Sequence, residues 1–330
     1  MRIPGEFPLG ETTCNAKGAP MSGRIVVVGS LNMDLTLACP QLPRAGETVI
    51  GNNFATAPGG KGANQAVAAA RLGAQVSLVG CVGSDAFGGA AYAALRAEGV
   101  DITHLSVIAG SSTGIAIVLV EGSGENCIAL APGANAALSI AHIDAAAELI
   151  RGAALLICQL ESPLPTVRHA IALACSAGVP VLLNPAPAQD LPDELLRQID
   201  VLVPNASEAG LLTGRPVDSA ADASRAAARL HASGVSIVLV TLGAAGVLSV
   251  DAGGSAHHAA APAQVIDTTG AGDTFVGAFA VASIEGQSLR ASIAFAQRAA
   301  AFSVSRRGAQ ASMPRRSELS GGAATASRAR

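Results

Sequence analysis

Short β-branched runs and alanine-rich stretches of helical period alternate through most of this chain. RIVVVGS (24–30) has the pattern of a buried first strand closed by a glycine. The same pattern predicts strands in QVSLVGCVG (75–83), ALLICQL (154–160), VPVLLNPAP (179–187), DVLVPN (200–205) and VSIVLVTLG (235–243). Helical spacing falls between them, in GGKGANQAVAAARLGA (59–74), DAFGGAAYAALRAEGV (85–100), TVRHAIALACSAG (166–178), SEAGLLTG (207–214), SRAAARLHASG (224–234) and FVGAFAVASI (275–284). Continuous apolar strands separated by helices predict right-handed βαβ units: an α/β fold with a doubly wound, mostly parallel sheet flanked by helices.

Two segments break this rhythm. Residues 34–57 are short extended pieces interrupted by Pro40, Pro43, Gly46 and Gly51, and 113–131 reads as two apolar runs joined by EGSGEN. Together they predict a small antiparallel β lid of about four strands, inserted at about 35–58 and 113–131. Residues 1–23 have neither a basic n-region nor an apolar h-region, so they are expected to be a flexible extension and not a secretion signal, with Met21 a candidate functional start. The main domain is expected to span 24–316, and the small polar residues 317–330 a flexible tail.

Composition narrows the picture. Half of the 330 residues are hydrophobic but only 2% are aromatic and none is Trp, so the core must be built from Ala, Val, Leu and Ile. A formal charge of −3 gives no footprint for nucleic acid, and no apolar run approaches the ~20 residues of a membrane span. The cysteines at 14, 39, 81, 127, 158 and 175 are scattered, without a Cys-x-x-Cys pair. They read as small core residues of a cytoplasmic protein, and a zinc site is not expected.

The candidate chemistry centres on Asp267-Thr-Thr-Gly-Ala-Gly-Asp273, which follows Val265–Ile266 and opens a helix. Glycines at a helix start gather several unpaired N–H groups at one point, and the helix dipole makes it a seat for an anion. An aspartate there would repel a resident phosphate. It suits a phosphoryl group in flight, with Asp273 taking the proton of the attacking hydroxyl. The string alone also fits a glycine turn with an aspartate capping a core helix. Asn32, Glu161, Asn184, Asn205, Thr241 and Asp267 all fall where strands are expected to end, the edge at which such sheets bind ligands.

GGKGAN (59–64) is not a Walker A loop, because Lys61 is followed by Gly62 and Ala63 rather than by Ser or Thr. Its glycines allow close backbone approach to a small ligand, with Asn64 offering a donor and an acceptor; a structural turn with a solvated lysine is the plainer alternative. Asn32 and Asp34, at alternate positions, suit vicinal hydroxyls or simply an Asx-rich turn. Asn205 and Glu208 at a strand-to-helix junction suit a hydrated Mg²⁺ or an ordinary helix N-terminus. Thr241-Leu242-Gly243, ahead of Gly246, ends a strand in a tight turn that suits nucleotide phosphates.

In their order along residues 24–316, the strings GSLNMD, GGKGANQAVAAARLGA, GENCIALAPGANAALS, QLESP, NPAPA, PNASEAGLLTG, TLGAAGV, DTTGAGDTF and RRGAQASMP resemble the ribokinase-like sugar kinases of the PfkB family. The resemblance implies transfer of the γ-phosphoryl group of ATP to the 5-hydroxyl of D-ribose. It makes Asp273 the base, kept ionised by the helix dipole, and the N–H groups of Thr269, Gly270, Ala271 and Gly272 the anion hole. It places the sugar on Asn32, Asp34, Gly60, Lys61, Gly62, Ala63, Asn64 and Glu161. ATP falls on Asn205, Thr241, Leu242, Gly243, Ala244, Ala245, Gly246, Gly272 and Gln297. Glu208 would organise Mg²⁺ through water, and Asp267, Thr269, Ser303, Arg306, Gly308 and Ser312 would hold K⁺, mostly through backbone carbonyls. The lid would pair two subunits into a homodimer. Selectivity stays open between ribose and 2-deoxyribose or another small sugar, and so does a sugar-binding protein that has lost the chemistry. The shortage of aromatics argues against a nucleoside substrate.

Overall fold

The computed structural model describes residues 23–122 and 126–320. Residues 1–22, 123–125 and 321–330 lie outside the described residues, and with them the expected N-terminal extension and most of the expected tail. In chain order the strands are β1 (Ile25–Val28), β2 (Asn32–Cys39), β3 (Asn52–Gly59), β4 (Val76–Gly83), β5 (Leu105–Ile108), β6 (Gly114–Glu121) and β7 (Asn126–Ala131). They continue with β8 (Leu155–Cys158), β9 (Val181–Leu183), β10 (Val201–Leu202), β11 (Ile237–Thr241), β12 (Val247–Asp251) and β13 (Gly254–His258).

Nine of them form one sheet in the order β13-β12-β11-β10-β9-β8-β1-β4-β5. It is parallel from β11 to β5, with β12 and β13 added antiparallel at one edge. The strand order turns back at β1, between β4 and β8, which is the switch point where such sheets open a crevice. Alternate residues feed the two faces. Ile25, Val27, Leu155 and Ile157 pack under the helices Lys61–Arg71 and Ala271–Ile284, while Val26, Val28, Leu156 and Cys158 pack under Leu164–Ser176 on the other side.

The helices Lys61–Arg71 and Ala271–Ile284 come unusually close. A Cβ at Gly277 would lie 2.7 Å from Ala68 Cβ and 2.9 Å from the Gln65 carbonyl oxygen, so only glycine permits this approach. It sets the first turns of the two helices side by side.

The second sheet has the order β3-β2-β6-β7 and corresponds to the expected lid. Its outer pairs are antiparallel hairpins, whereas its central pair β2–β6 is parallel. The two excursions leave the main sheet near β1 and β5, which run the same way, so β2 and β6 start side by side and point alike.

Some expectations are corrected. The strands expected over 179–187 and 200–205 shrink to three and two residues, because Pro180, Pro185, Pro187 and Pro204 have no N–H for a ladder. Val265 and Ile266 do not form a strand but lie exposed in a loop, pinned where the Ile266 and Asp267 N–H groups both donate to the Val304 carbonyl oxygen. The β12–β13 hairpin was not anticipated. Residues Arg316–Ser320, mostly inside the expected tail, form a short helix in which Glu318 accepts from the Arg315 N–H and pairs with Arg306. Cys127 is exposed on the lid, unlike the buried Cys39, Cys81 and Cys158.

Candidate active site

The helix Ala271–Ile284 begins after Gly270, whose φ of 73° is left-handed and favours glycine there. Asp273 is its third residue and is 8% exposed. Two carboxamides from the neighbouring helix hold it: Asn64 Nδ2 donates to Oδ2 and Gln65 Nε2 to Oδ1, each at 2.9 Å. Burial pushes the Asp273 carboxyl above the ordinary aspartate range; the Lys61 charge and the two carboxamides pull it back, and Glu161 adds to the rise. Burial thus works against the ionisation that the helix dipole is expected to favour.

A cavity of about 220 Å³ opens over Asp273, lined by Lys61, Asn184, Ala186, Val203, Asn205, Glu208, Thr241, Gly270, Gly272 and Val276. Burial pulls the Lys61 ammonium down, yet the negative charges of Asp273, Glu161 and Glu208 outweigh it and leave the group above the usual lysine range. Lys61 is thus a charged wall of the cavity, not a solvated turn residue. The cavity is about the size of a phosphoryl group with its surroundings. A Cβ at Gly272 would meet nothing within 4 Å, so the start of the helix presents open backbone to this space.

On one side lie the residues expected to grip a sugar. Asn32 is 5% exposed, and its Oδ1 accepts from Asn135 Nδ2 at 2.7 Å, which orients its own NH₂. Asn135 is itself locked onto Leu31 through both backbone groups. Burial, then the charges of Glu161 and Asp273, push the Asp34 carboxyl up to about 6. Glu161 Oε2 accepts from Ser30 Oγ and from the Lys61 N–H, so it also caps the helix Lys61–Arg71. Gly60 has a φ of 88°, and a Cβ there would lie 2.6 Å from the Asn32 nitrogen. Gly62 and Ala63 sit apart from this group: their N–H groups donate to Ser30 Oγ and Ser30 O, at 3.3 and 2.9 Å. Gly62 is needed for packing, because its Cβ would lie 2.6 Å from the Gly29 carbonyl carbon.

On the other side is an apolar slot of about 450 Å³, within the ~300–1,000 Å³ typical of small-molecule sites. Thr241, Gly243, Ala244, Gly246, Ala271, Gly272 and Gln297 all line it, and Thr241 and Gly272 also border the smaller cavity, so the two are adjacent. Gln297 Nε2 donates to the His258 carbonyl oxygen at 3.0 Å. Leu242 and Ala245 are not among its walls: Leu242 packs on the core and the Ala245 carbonyl accepts from His257. Asn205 and Glu208 form a reciprocal capping box, with Asn205 Oδ1 accepting from the Glu208 N–H and Glu208 Oε2 from the Asn205 N–H, both at 2.8 Å. Both therefore serve the helix while facing the cavity.

A further corner gathers the other sites. Asp267 Oδ1 accepts from the Thr269 N–H and Oγ1, and Oδ2 accepts from the Gly308 N–H at 2.7 Å. The Ser303 carbonyl accepts from the Arg306 N–H, Ala309 packs on Gly270, and Ser312 bonds back to Ala309. The Arg306 side chain turns away, over the Phe302 ring and toward Glu318. No group of three or more His, Cys, Asp or Glu among the described residues could hold a metal, so a cation here would rest on carbonyl and hydroxyl oxygens or on water.

Several residues of this site escaped the sequence reading: Ser30, Gln65, Asn135, Gln159 and Gln310. Gln65 carried a signal, since Lys61, Asn64 and Gln65 are spaced i, i+3 and i+4 and share one face of an otherwise alanine-rich helix.

A fold of this topology, with a buried carboxylate at a glycine-led helix start between a polar grip and an apolar slot, is that of a small-molecule kinase. Residues 22–316 match the pfkB family of carbohydrate kinases, and the chain belongs to that family. The ribokinase of Haemophilus influenzae is 45% identical over 298 residues, covering 90% of this chain and 97% of that one. The deoxyribokinase of Salmonella typhi is 40% identical over 292 residues, covering 88% and 95%. Among solved structures, Arabidopsis thaliana ribokinase complexed with ribose and ATP superposes with a TM-score of 0.85 at 38% identity, covering 91% of this chain and 97% of that one. The chain is thus a sugar kinase.

Proposed function

We propose that this enzyme transfers the γ-phosphoryl group of ATP to the 5-hydroxyl of D-ribose, giving ribose 5-phosphate and ADP. The observation that carries the reading is Asp273, a buried carboxylate with both oxygens held by carboxamides, lining the cavity that shares Thr241 and Gly272 with the apolar slot. In this reading Asn32, Asp34, Gly60, Asn64 and Glu161 hold the sugar hydroxyls and set its 5-hydroxyl against Asp273. The adenine and ribose of ATP occupy the apolar slot, with Gln297 at its edge and Gly243 to Gly246 against the phosphates. As the sugar oxygen bonds to the γ-phosphorus, the bond from that phosphorus to the ADP oxygen breaks, and the hydroxyl proton passes to Asp273. Backbone N–H groups of Gly270 and Gly272 and the Lys61 ammonium face the migrating negative charge, while the Ala271 N–H donates to the Thr268 carbonyl oxygen.

Mg²⁺ held through water by Glu208 would neutralise the nucleotide phosphates; the carboxylate faces the cavity while its second role, the cap, uses only Oε2. K⁺ in the corner of Asp267, Thr269, Ser303, Arg306, Gly308 and Ser312 would order the anion hole, and the all-oxygen surroundings suit a hard cation. The lid leaves Phe54, Ile117, Ile128 and Leu130 exposed, and a second copy would cover them. Such a homodimer would separate in analytical ultracentrifugation on Leu130→Lys. Among the described residues no helix is long and apolar enough to cross a membrane, and we place the enzyme in the cytoplasm, where ATP is supplied.

2-Deoxyribose is the second reading, favoured by the comparable identity to a deoxyribokinase. A coupled ADP-release assay across ribose, 2-deoxyribose, fructose and adenosine tests both. A kcat/KM for ribose at least tenfold above the others is expected, and a preference for 2-deoxyribose would transfer the assignment.

A further inference from the structure

The carboxamides around Asp273 are not free to flip. The chain of orientation is rooted in a main-chain carbonyl: Val203 O accepts from Asn184 Nδ2 at 2.9 Å, and a carbonyl oxygen can only accept. Asn184 must therefore turn its Oδ1 toward Gln65, whose Nε2 donates to it at 3.1 Å and to Asp273 Oδ1 at 2.9 Å. That leaves Gln65 Oε1 to accept from Gln159 Nε2 at 2.7 Å. Reversing Gln65 would set its oxygen against Asp273 and its NH₂ against that of Gln159. Gln65 is 0% exposed and Gln159 1%, so both are shielded from bulk solvent. On the opposite oxygen Gln310 does the same for Asn64, donating to Asn64 Oδ1 at 3.1 Å.

We propose that Gln65 is a positioning residue for phosphoryl transfer: locked by Gln159 and Asn184, it holds one oxygen of Asp273 in place and, by donating there, favours the form that takes a proton. The proposal rests on Asp273 being the base. Gln65 lines neither the cavity over Asp273 nor the apolar slot. Among the described residues its side chain bonds to Asp273, Asn184 and Gln159. The other charges felt by Asp273 come from Lys61 on the helix of Gln65, Glu161 after β8, Glu208 at the start of Ala206–Thr213 and Asp34 on β2. All of them are unchanged when Gln65 is replaced.

Gln65→Met keeps the volume and removes the donors; Gln65→Glu keeps the shape and places a second carboxylate against Asp273. The expected result for Gln65→Met is a fall in kcat of ~10- to 100-fold, with KM for ribose within about threefold of the parent. The acid limb of its kcat–pH profile moves to higher pH, and that of Gln65→Glu moves further, because two adjacent carboxylates hold one proton between them. Gln159→Met gives a smaller loss, and the double variant Gln65→Met/Gln159→Met is no worse than Gln65→Met alone, since Gln159 acts through Gln65. Ribose calorimetry and thermal melts verify folding; should Gln65→Met not fold, the isosteric Gln65→Glu carries the test. An unmoved acid limb with parental kcat, or additive losses in the double variant, overturns the proposal. Asp273→Asn is measured alongside: activity within tenfold of the parent removes the base itself, whereas an inactive Asp273→Asn beside unaffected Gln65 variants removes only the role of Gln65.

Discussion

The carboxylate of Asp34 lies directly over the Cα of Gly59, so that a Cβ on Gly59 would collide with both of its oxygens. The two residues belong to neighbouring strands of the lid, β2 and β3. The backbone at Gly59 lies outside the left-handed region, so glycine is needed here for space rather than for conformation. Gly59→Ala is therefore expected to fold and to displace Asp34. Ribose affinity measured by calorimetry should fall at least about tenfold, roughly the loss of one charge-assisted hydrogen bond. Parental affinity would show that Asp34 does not touch the sugar.

If Asp34 holds the sugar as proposed, it also ties sugar binding to stability. Its carboxyl is raised from 3.8 to about 6, so the folded state binds that proton more tightly than the unfolded chain does. Its contribution to stability therefore falls as pH rises from about 4 to about 6, and the loss persists above that window. Two units correspond to about 3 kcal/mol at most, and partial exposure makes about 1–2 kcal/mol the better expectation. Asp34→Asn should raise stability by that amount at pH 8, show little difference at pH 4, and bind ribose poorly. Urea titrations at the two pH values check this; a variant less stable at pH 8 contradicts it.

Glu208 caps its helix and, in the proposed function, also holds hydrated Mg²⁺; one substitution separates the two. Glu208→Gln keeps a side-chain oxygen to accept from the Asn205 N–H, so the capping box and the melting temperature are expected to persist. Removing the charge should raise the Mg²⁺ concentration needed for half-maximal rate several-fold and lower kcat by ~10-fold or more. An unchanged Mg²⁺ dependence with a lower melting temperature would leave Glu208 as a cap alone.

Gly277 sets the spacing between the helix bearing Asn64 and Gln65 and the helix bearing Asp273. A Cβ 2.7 Å from Ala68 must push them apart. Gly277→Ala is expected to destabilise the fold by about 1–3 kcal/mol, as overpacking does, and to lower kcat more than it raises KM. Denaturant melts and steady-state kinetics read the two effects. Neutrality in both would mean that the helices slide without consequence.

The Asp267 corner makes the proposed K⁺ site testable without mutation. With Na⁺ or choline in place of K⁺, turnover should fall several-fold while ribose binding is unchanged, because the corner borders Gly270 and not the sugar residues. Equal rates in all three salts would remove K⁺ from the site.

The parallel sheet was legible because each buried strand is an unbroken apolar run and each crossover helix carries its own period. The sheet edge was not: β12 and β13 follow β11 through a tight glycine turn, and His257 and His258 give the last strand no apolar signature. Polar residues at strand ends announced the cleft, and Asn32, Asn184, Asn205 and Thr241 do follow or end strands there. Asp267 does not, because its place is set by Val304 and Gly308, some forty residues onward. Asn135 and Gln159 were hidden for a related reason: each is a lone polar residue whose partner comes from a distant segment. Local pattern finds what one element does, and such residues act only between elements.

The strand β2 begins at Asn32 in the cleft and ends at Cys39 in the covering sheet. In the proposed function grip and cover thus share one strand, whose pairing with β3 shifts register only beyond Thr36. A sugar that fits badly under Asn32 and Asp34 would then leave the cover mis-set and water beside the nucleotide. Choosing the right alcohol and sparing ATP from wasteful hydrolysis would become one mechanical event.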